Sequence, residues 1–244
     1  MNHLFCPLLD KNALCGPVLA LAAHPDDEVI GAGAMLAHHA AQGHAVTVVH
    51  ATDGAQGDPD GATNDIVRTR RSEGAEALRR LGIGEPERWD LPDGALPEHL
   101  AELEQRVRAA FIRVQPKTLY SFWFGEAHRD HRAMAFAAMR AADALPADCR
   151  CLLFGVNHFP AASALFDTSA LWPVKRHALE AYASQNVYFD IPGLGDHRDR
   201  TATINVNVAG VTHCEMFADL KPAQLARAHE LWAPLHRLLL EGGS

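Results

Sequence analysis

The feature that most constrains the fold of this chain is a regular alternation of short apolar runs with amphipathic stretches across residues 16–156. "GPVLALAA", residues 16–23, is short and rich in Val and Leu, as a strand buried on both faces should be. "DDEVIGAGAMLAHHAAQG" follows, with acids where a helix begins and Gly43 where it ends. "AVTVVHAT" then predicts a second buried strand, and "DIVRTRRSEGAEALRRLGI" a second helix that closes near Gly82. The pattern repeats through "ERWDL", a helix over "LPEHLAELEQRVRAAFIRVQP" with proline in its first turn, and the strand "KTLYSFWF". It ends with the alanine-rich helix "HRDHRAMAFAAMRAADALP" and a fifth strand, "CRCLLFGV". Units of this length predict an α/β fold, a doubly wound, Rossmann-like, mainly parallel sheet with helices on both faces.

After Asn157 the rhythm changes. "NHFPAASALFDTSALWP" reads as irregular, "VKRHALEAYASQN" as a helix, "RTATINVNVAG" as a strand and "KPAQLARAHELWAPLHRLLLEGG" as a closing amphipathic helix. With no internal repeat or long polar linker, residues 1–244 read as one domain. Its core is 16–156, and 157–244 form a C-terminal elaboration; a separate C-terminal lobe is the alternative.

A formal net charge of −8 offers no basic face for a phosphate backbone, so nucleic acid is excluded as an expected partner. Five cysteines without a C-x-x-C pair suit reduced thiols better than a disulfide framework. The N-terminal stretch lacks a basic region followed by a long apolar core, and no apolar run of about eighteen residues could span a membrane. The expected location is therefore cytoplasmic. Of fifteen histidines, His38, His39, His44, His50, His99, His229 and His236 sit in no local motif and read as structural or solvent-facing.

Two clusters stand out. "HPDDE" occupies the turn after the first long strand, and "GEAHRDH", residues 125–131, follows "KTLYSFWF". Open parallel sheets bind ligands outside the carboxyl ends of their strands, where the strand order reverses. If these two strands are neighbours, the clusters face each other across that crevice. Together they have the composition of a catalytic zinc site, in which three protein ligands leave a fourth position to water. His24 and Asp27 can reach one ion from a tight turn while Asp26 stays free as a base, and His131 can supply the third ligand. His128 and Asp130 are left for supporting or catalytic work. The competing account is that Asp26, Asp27 and Glu28 only complement the dipole of the helix they begin.

In order, "AHPDDE", "TDG" at 52–54, Arg70 and Glu73 spaced R-x-x-E before "LG", "LPDG" at 91–94 and H-x-D-H at 128–131 resemble the LmbE/PIG-L family of zinc-dependent N-deacetylases. The resemblance runs through roughly the first 140 residues, with fainter echoes in "SQ" at 184–185 and "EMF" at 215–217. It implies one Zn²⁺ per chain on His24, Asp27 and His131, with Asp26 as general base. It also implies that His128 assists the tetrahedral intermediate or the leaving amine, that Asp130 orients a histidine, and that Arg70 and Asp93 hold a sugar. The implied substrate is a small N-acetylated amino sugar or glycoconjugate. Zinc would bring its water toward neutral pKa, Asp26 would take the proton, and a protonated His128 would stabilise the oxyanion.

Two positions depart from the family pattern. Arg129 replaces a proline, placing a charge beside the substrate or in solvent, and Tyr182 replaces a histidine ahead of "SQ". Glu126 and Trp123 are candidates for shaping the pocket. Trp123, Phe124, Phe159 and Trp172 either line its acceptor side or pack in the core. Among rival readings, "GAGAM" lies too deep in its helix for a dinucleotide fingerprint, and no G-x-S-x-G elbow marks a serine hydrolase. A metal-dependent phosphoesterase and a degenerate Rossmann-like binding protein remain the alternatives.

Overall fold

The structure, a computed structural model, describes residues 6–204 and 206–241. After a short strand that the sequence did not mark, β1 (Leu8–Leu9), the first half follows the predicted alternation: β2 (Val18–Ala22), α1 (Asp27–Ala41), β3 (Val46–Thr52), α2 (Ile66–Arg80) and β4 (Glu87–Leu91). Then come α3 (Leu100–Val114), β5 (Thr118–Phe122), α4 (Arg129–Arg140) and β6 (Arg150–Phe154). The second half adds β7 (Ala164–Asp167), α5 (Trp172–Leu179), α6 (Ala183–Asn186), α7 (Ile191–Thr201), β8 (Cys214–Leu220) and α8 (Pro222–Glu241).

Among the described residues, eight strands join one sheet in the order β1-β7-β8-β6-β5-β2-β3-β4. Only β8 runs antiparallel to its neighbours β6 and β7, so the sheet is mainly parallel as expected. Every residue of β2 and β5 is buried, which is why β2 reads as an unbroken apolar run and β5 as one interrupted only by Thr118 and Ser121. α1, α2, α5 and α7 pack together as one layer and α3, α4 and α8 as another, covering both faces. Gly43 and Gly82 follow α1 and α2 at φ of 74° and 79°, where a side chain would be strained.

The second half departs from its prediction. β7 lies inside the stretch read as irregular, because four residues are too few to carry a period. The strand expected at "RTATINVNVAG" is instead the end of α7 and a turn, with Ile204 and Val208 mostly exposed and Asn205 outside the described residues. Alternation without burial does not make a strand. The strand forms further on, at β8, whose position between β6 and β7 buries it. The predicted closing helix is present as α8, and its last residues, 242–243, lie outside the described residues.

Candidate active site

The strand order reverses between β2, whose chain continues to β3 on one side, and its other neighbour β5. Above this point the loops leaving β2, β3, β4, β5 and β6 enclose a cavity of about 520 Å³. Both sequence clusters line it, with His24, Asp26 and Asp27 on one side and His128 and His131 on the other.

Three donor groups converge. His131 Nε2 lies 3.1 Å from Asp27 Oδ1 and 3.3 Å from His24 Nδ1, and His24 Nδ1 lies 3.2 Å from Asp27 Oδ2. Each histidine presents its other nitrogen to a carboxylate. His24 Nε2 is 3.0 Å from Asp93 Oδ1 and 3.4 Å from Asp130 Oδ2, while His131 Nδ1 is 2.9 Å from Glu126 Oε2. A proton held on each remote nitrogen leaves the converging lone pairs free to bind a cation. His128 lies close enough to join His24 and His131 in a second possible donor grouping, and Asp93 and Asp130 form a third with His24. Nitrogen and carboxylate donors in this arrangement fit a zinc-type ion.

The three acids of the first motif do more than complement a dipole. Asp26 is the N-cap of α1, yet its side chain makes no capping bond, and its φ is 146°. A non-glycine residue rarely adopts that conformation, and such strain concentrates at functional sites. The Asp26 carboxylate turns to Arg70, with Oδ2 3.1 Å from Nη2. Arg70 is itself buried and donates to the Gly54 and Pro25 carbonyls. Asp27 accepts from the His24 backbone amide at 2.7 Å, and Glu28 pairs with buried His50 at 3.0 Å. Asp93, placed by Gln56 N and lying 3.8 Å from Arg70 Nη1, completes this wall.

Asp130 is fully buried and accepts from Gly94 N at 2.7 Å and Leu96 N at 3.1 Å, so the histidine it faces is His24. His128 caps α4, its Nδ1 accepting from Asp130 N. Arg129, expected at the substrate, is placed elsewhere: its half-exposed guanidinium pairs with Glu98 and lines a separate hollow with Arg132 and Phe136. As the first residue of α4 it leaves the helix on a different side from His128 and His131. Trp172 stacks on His213, and Trp123 packs with Phe124, so neither supplies the cavity's aromatic wall; Phe189 does.

Phe189 and Gln185 carried no motif strong enough to mark them as cavity residues. The faint "SQ" echo has a physical basis: Ser184 donates to Glu73 from both its amide and its hydroxyl, at 2.7 and 2.6 Å. This pins α6 to α2, and with it Gln185, which lines the cavity. "TDG" likewise places Asp53, whose Oδ1 accepts from Asp93 N at 3.3 Å.

Burial pushes the Asp26 carboxyl up to about 7, with Arg70 pulling it down and neighbouring Asp27 adding to the rise. Asp27 goes the other way: burial alone would raise it, but His131 and His24 hold it well below the usual carboxylate range. Burial would lower His24, but Asp130, Asp27 and Asp93 hold it well above an ordinary histidine. These carboxylates therefore attract positive charge at the point where the donors converge, which is what a cation site requires. His128 is lowered, first by burial and then by His24 and His131.

An α/β sheet with histidine and carboxylate donors gathered at its switch point defines an α/β protein with a candidate metal centre. Residues 19–142 match the model of the PIG-L family, GlcNAc-PI de-N-acetylase, and the chain belongs to that family. It is 40% identical over 78 residues to a 1D-myo-inositol 2-acetamido-2-deoxy-alpha-D-glucopyranoside deacetylase of Mycobacterium avium, a match covering 28% of this chain and 26% of the relative. The chain thus spans about a quarter of that relative's length. Its fold is similar to that of N,N'-diacetylchitobiose deacetylase from Pyrococcus horikoshii, with TM-score 0.73, 21% identity and 84% of each chain covered. It is also similar to GalB, the 4-carboxy-2-hydroxymuconate hydratase of Pseudomonas putida KT2440, with TM-score 0.67, 20% identity, and 83% of this chain and 95% of that one covered.

Proposed function

We propose that this protein is a metal-dependent N-deacetylase that removes acetate from an N-acetylated amino sugar or related glycoconjugate, with zinc as its resident ion. The observation that carries this reading is the convergence of His24 Nδ1, the Asp27 carboxylate and His131 Nε2 within 3.1–3.3 Å, beside an Asp26 carboxylate that makes no bond to any of them. His24, Asp27 and His131 would hold the ion. When bound, it supplies a Lewis acid and makes a water nucleophilic near neutral pH.

Asp26, held by Arg70 at the cavity wall, accepts the proton of the attacking water as that water's oxygen bonds to the acetamide carbon. His128 has its Nδ1 occupied as an acceptor, so its proton sits on Nε2, from which it donates to the developing oxyanion. The proton on Asp26 then passes to the nitrogen as the C–N bond breaks, giving acetate and a free amine. Asp93 and Asp130 hold His24 in the tautomer that leaves Nδ1 unprotonated. The polar wall formed by Gln56, Asp93 and Gln185 suits sugar hydroxyls, and Phe189 suits the apolar face of a sugar ring. The relatives named for acetamido sugars support the same substrate class.

All five cysteines are unpaired, which supports a reducing, cytoplasmic setting, and no helix among the described residues is long and apolar enough to cross a membrane. The test is to load the purified protein with zinc and measure acetate and free amine from a panel of N-acetylglucosaminyl compounds. Stoichiometric release of both is expected. A zinc-loaded protein that released neither would overturn the reading, and addition of water across a carbon–carbon double bond would assign it to the chemistry named for GalB.

A further inference from the structure

Glu126 lies in the second cluster with no role assigned beyond shaping the pocket, yet it is 2% exposed and all its acceptor capacity is used. Its Oε1 accepts from Val156 N at 2.8 Å and His158 N at 3.0 Å. Its Oε2 accepts from Asn157 N at 3.1 Å and lies 2.9 Å from His131 Nδ1. Three successive amides aimed at one point form an anion-binding nest, and here a side chain of the protein fills it. The loop winds so tightly that a Cβ on Gly155 would meet the His158 carbonyl oxygen at 1.7 Å. From its other side Arg198 donates to the Val156 carbonyl at 2.7 Å and the Gly155 carbonyl at 2.5 Å. Val156 and Asn157 line the same cavity as His131.

We propose that Glu126 is a positioning residue that ties the metal ligand His131 to the substrate-facing loop 155–158, so that one carboxylate sets both the ligand's tautomer and the shape of the cavity wall. This rests on the reading of the site as a metal-dependent deacetylase. Holding the proton on His131 Nδ1 keeps Nε2 available to the cation. The three amides hold the carboxylate where it can do so. A Glu126 turned away releases His131 and the loop together, whereas a loop loosened at its Arg198 side keeps its amides on Glu126 and leaves His131 held.

Four donors meet this carboxylate, so an amide cannot replace it. Glutamine would present its NH₂ to at least one N–H group that needs an acceptor. Aspartate keeps the charge but is one methylene short, and so reaches the nest or His131 but not both. Arg198 offers the complementary control, because it grips the loop without touching His131.

The experiment measures zinc affinity by competition with a chelator, the visible absorption of the Co²⁺-substituted protein, and KM and kcat on an N-acetylglucosaminyl substrate. Glu126→Gln is expected to weaken zinc binding about 10- to 100-fold, alter the Co²⁺ spectrum and raise KM. Glu126→Asp should fail in zinc affinity or in KM, with the other property partly retained. Arg198→Lys should raise KM and leave zinc affinity and the Co²⁺ spectrum unchanged. A folded Glu126→Gln protein with wild-type zinc affinity and KM would overturn the proposal. So would an Arg198→Lys protein that lost zinc as readily, since that would mean general loosening. Should Glu126→Gln fail to fold, a Glu126→Asp protein unchanged in both properties is equally decisive. Metal affinity and spectrum are read without turnover. An inactive wild-type protein would therefore sink the deacetylase reading alone, and an active wild type with an unaltered Glu126→Gln variant would sink this one alone.

Discussion

The Asp26 carboxylate is fixed by Arg70 at 3.1 Å from a helix start whose backbone it strains, at φ 146°, rather than by the capping bond its position invites. The chain thus gives up a stabilising cap in order to aim this carboxylate into the cavity. Asp26→Asn removes the base but no metal donor. It should keep full zinc content and lose on the order of a hundredfold or more in kcat. Arg70→Lys keeps the charge but loses the planar fork that serves Asp26 and two carbonyls together, so kcat should fall with zinc content intact. Elemental analysis paired with steady-state kinetics checks both, and a fully active Asp26→Asn protein would remove Asp26 from the mechanism.

The donor atoms and the catalytic groups can be separated by what each variant loses. Asp27→Ala and His131→Ala each delete a converging donor and should lose bound zinc and activity together. His128→Gln deletes the Nε2–H donor and spares those donors; it should hold zinc and lose about 10²–10³ in kcat. A His128→Gln protein purified without zinc would instead make His128 a ligand, as its approach to His24 and His131 within one donor grouping permits.

Most of the fold's first half was legible because β2, β3 and β5 are buried strands flanked by helices with recognisable ends such as Gly43 and Gly82. The convergence of His24, Asp27 and His131 was legible for a related reason: they follow strand ends, so their spacing in sequence translates directly into position in space. Arg129 was not, because one residue along a helix turns a side chain by about 100° and nothing local says which way. Phe189 and Gln185 reach the cavity from a segment with no strand register, held by bonds from Ser184 to Glu73 and from Tyr188 to Asp58, partners far from it in sequence. Glu126 was legible as a pocket-shaping candidate but its partners were not, since three of them are backbone amides some thirty residues away, which carry no sequence signature.

Gly31 tests how tightly α1 is seated on the sheet. A Cβ there would meet Phe154 Cδ2 at 2.2 Å, well inside contact distance, and that ring is already packed on Phe122 at 4.9 Å between centroids. Gly31→Ala should therefore destabilise the protein by about 1–3 kcal/mol despite alanine's better helix propensity. Because α1 carries Asp27 at its first turn, zinc affinity should fall with it. Thermal unfolding with and without zinc reads both effects, and an unchanged or raised midpoint would mean that the ring moves aside freely.

His39 gives the fold a pH dependence separate from the site. It is fully buried on α1, with Nε2 3.0 Å from the Tyr120 hydroxyl and Nδ1 2.8 Å from Nδ1 of a second imidazole, His44. Burial, then His44 and His38, push its pKa down to about 3. An unfolded chain would protonate this imidazole near the ordinary value of about 6.5. Between those two values the unfolded state binds one more proton than the folded state, so stability falls as pH falls, by up to about 1.4 kcal/mol per pH unit from this group. Above the ordinary histidine value the ring is neutral in both states and the group contributes no pH dependence. His39→Gln should lower stability at pH 7.5 by removing a buried hydrogen-bonded ring, yet flatten the decline between pH 6.5 and 4.5. The comparison is urea unfolding of both proteins across that range, with His99→Gln, at a partly exposed site, as the control that should follow the wild type. Equal slopes for the wild type and His39→Gln would mean that His39 takes up its proton within the folded protein, and that the helix and Tyr120 open to admit it.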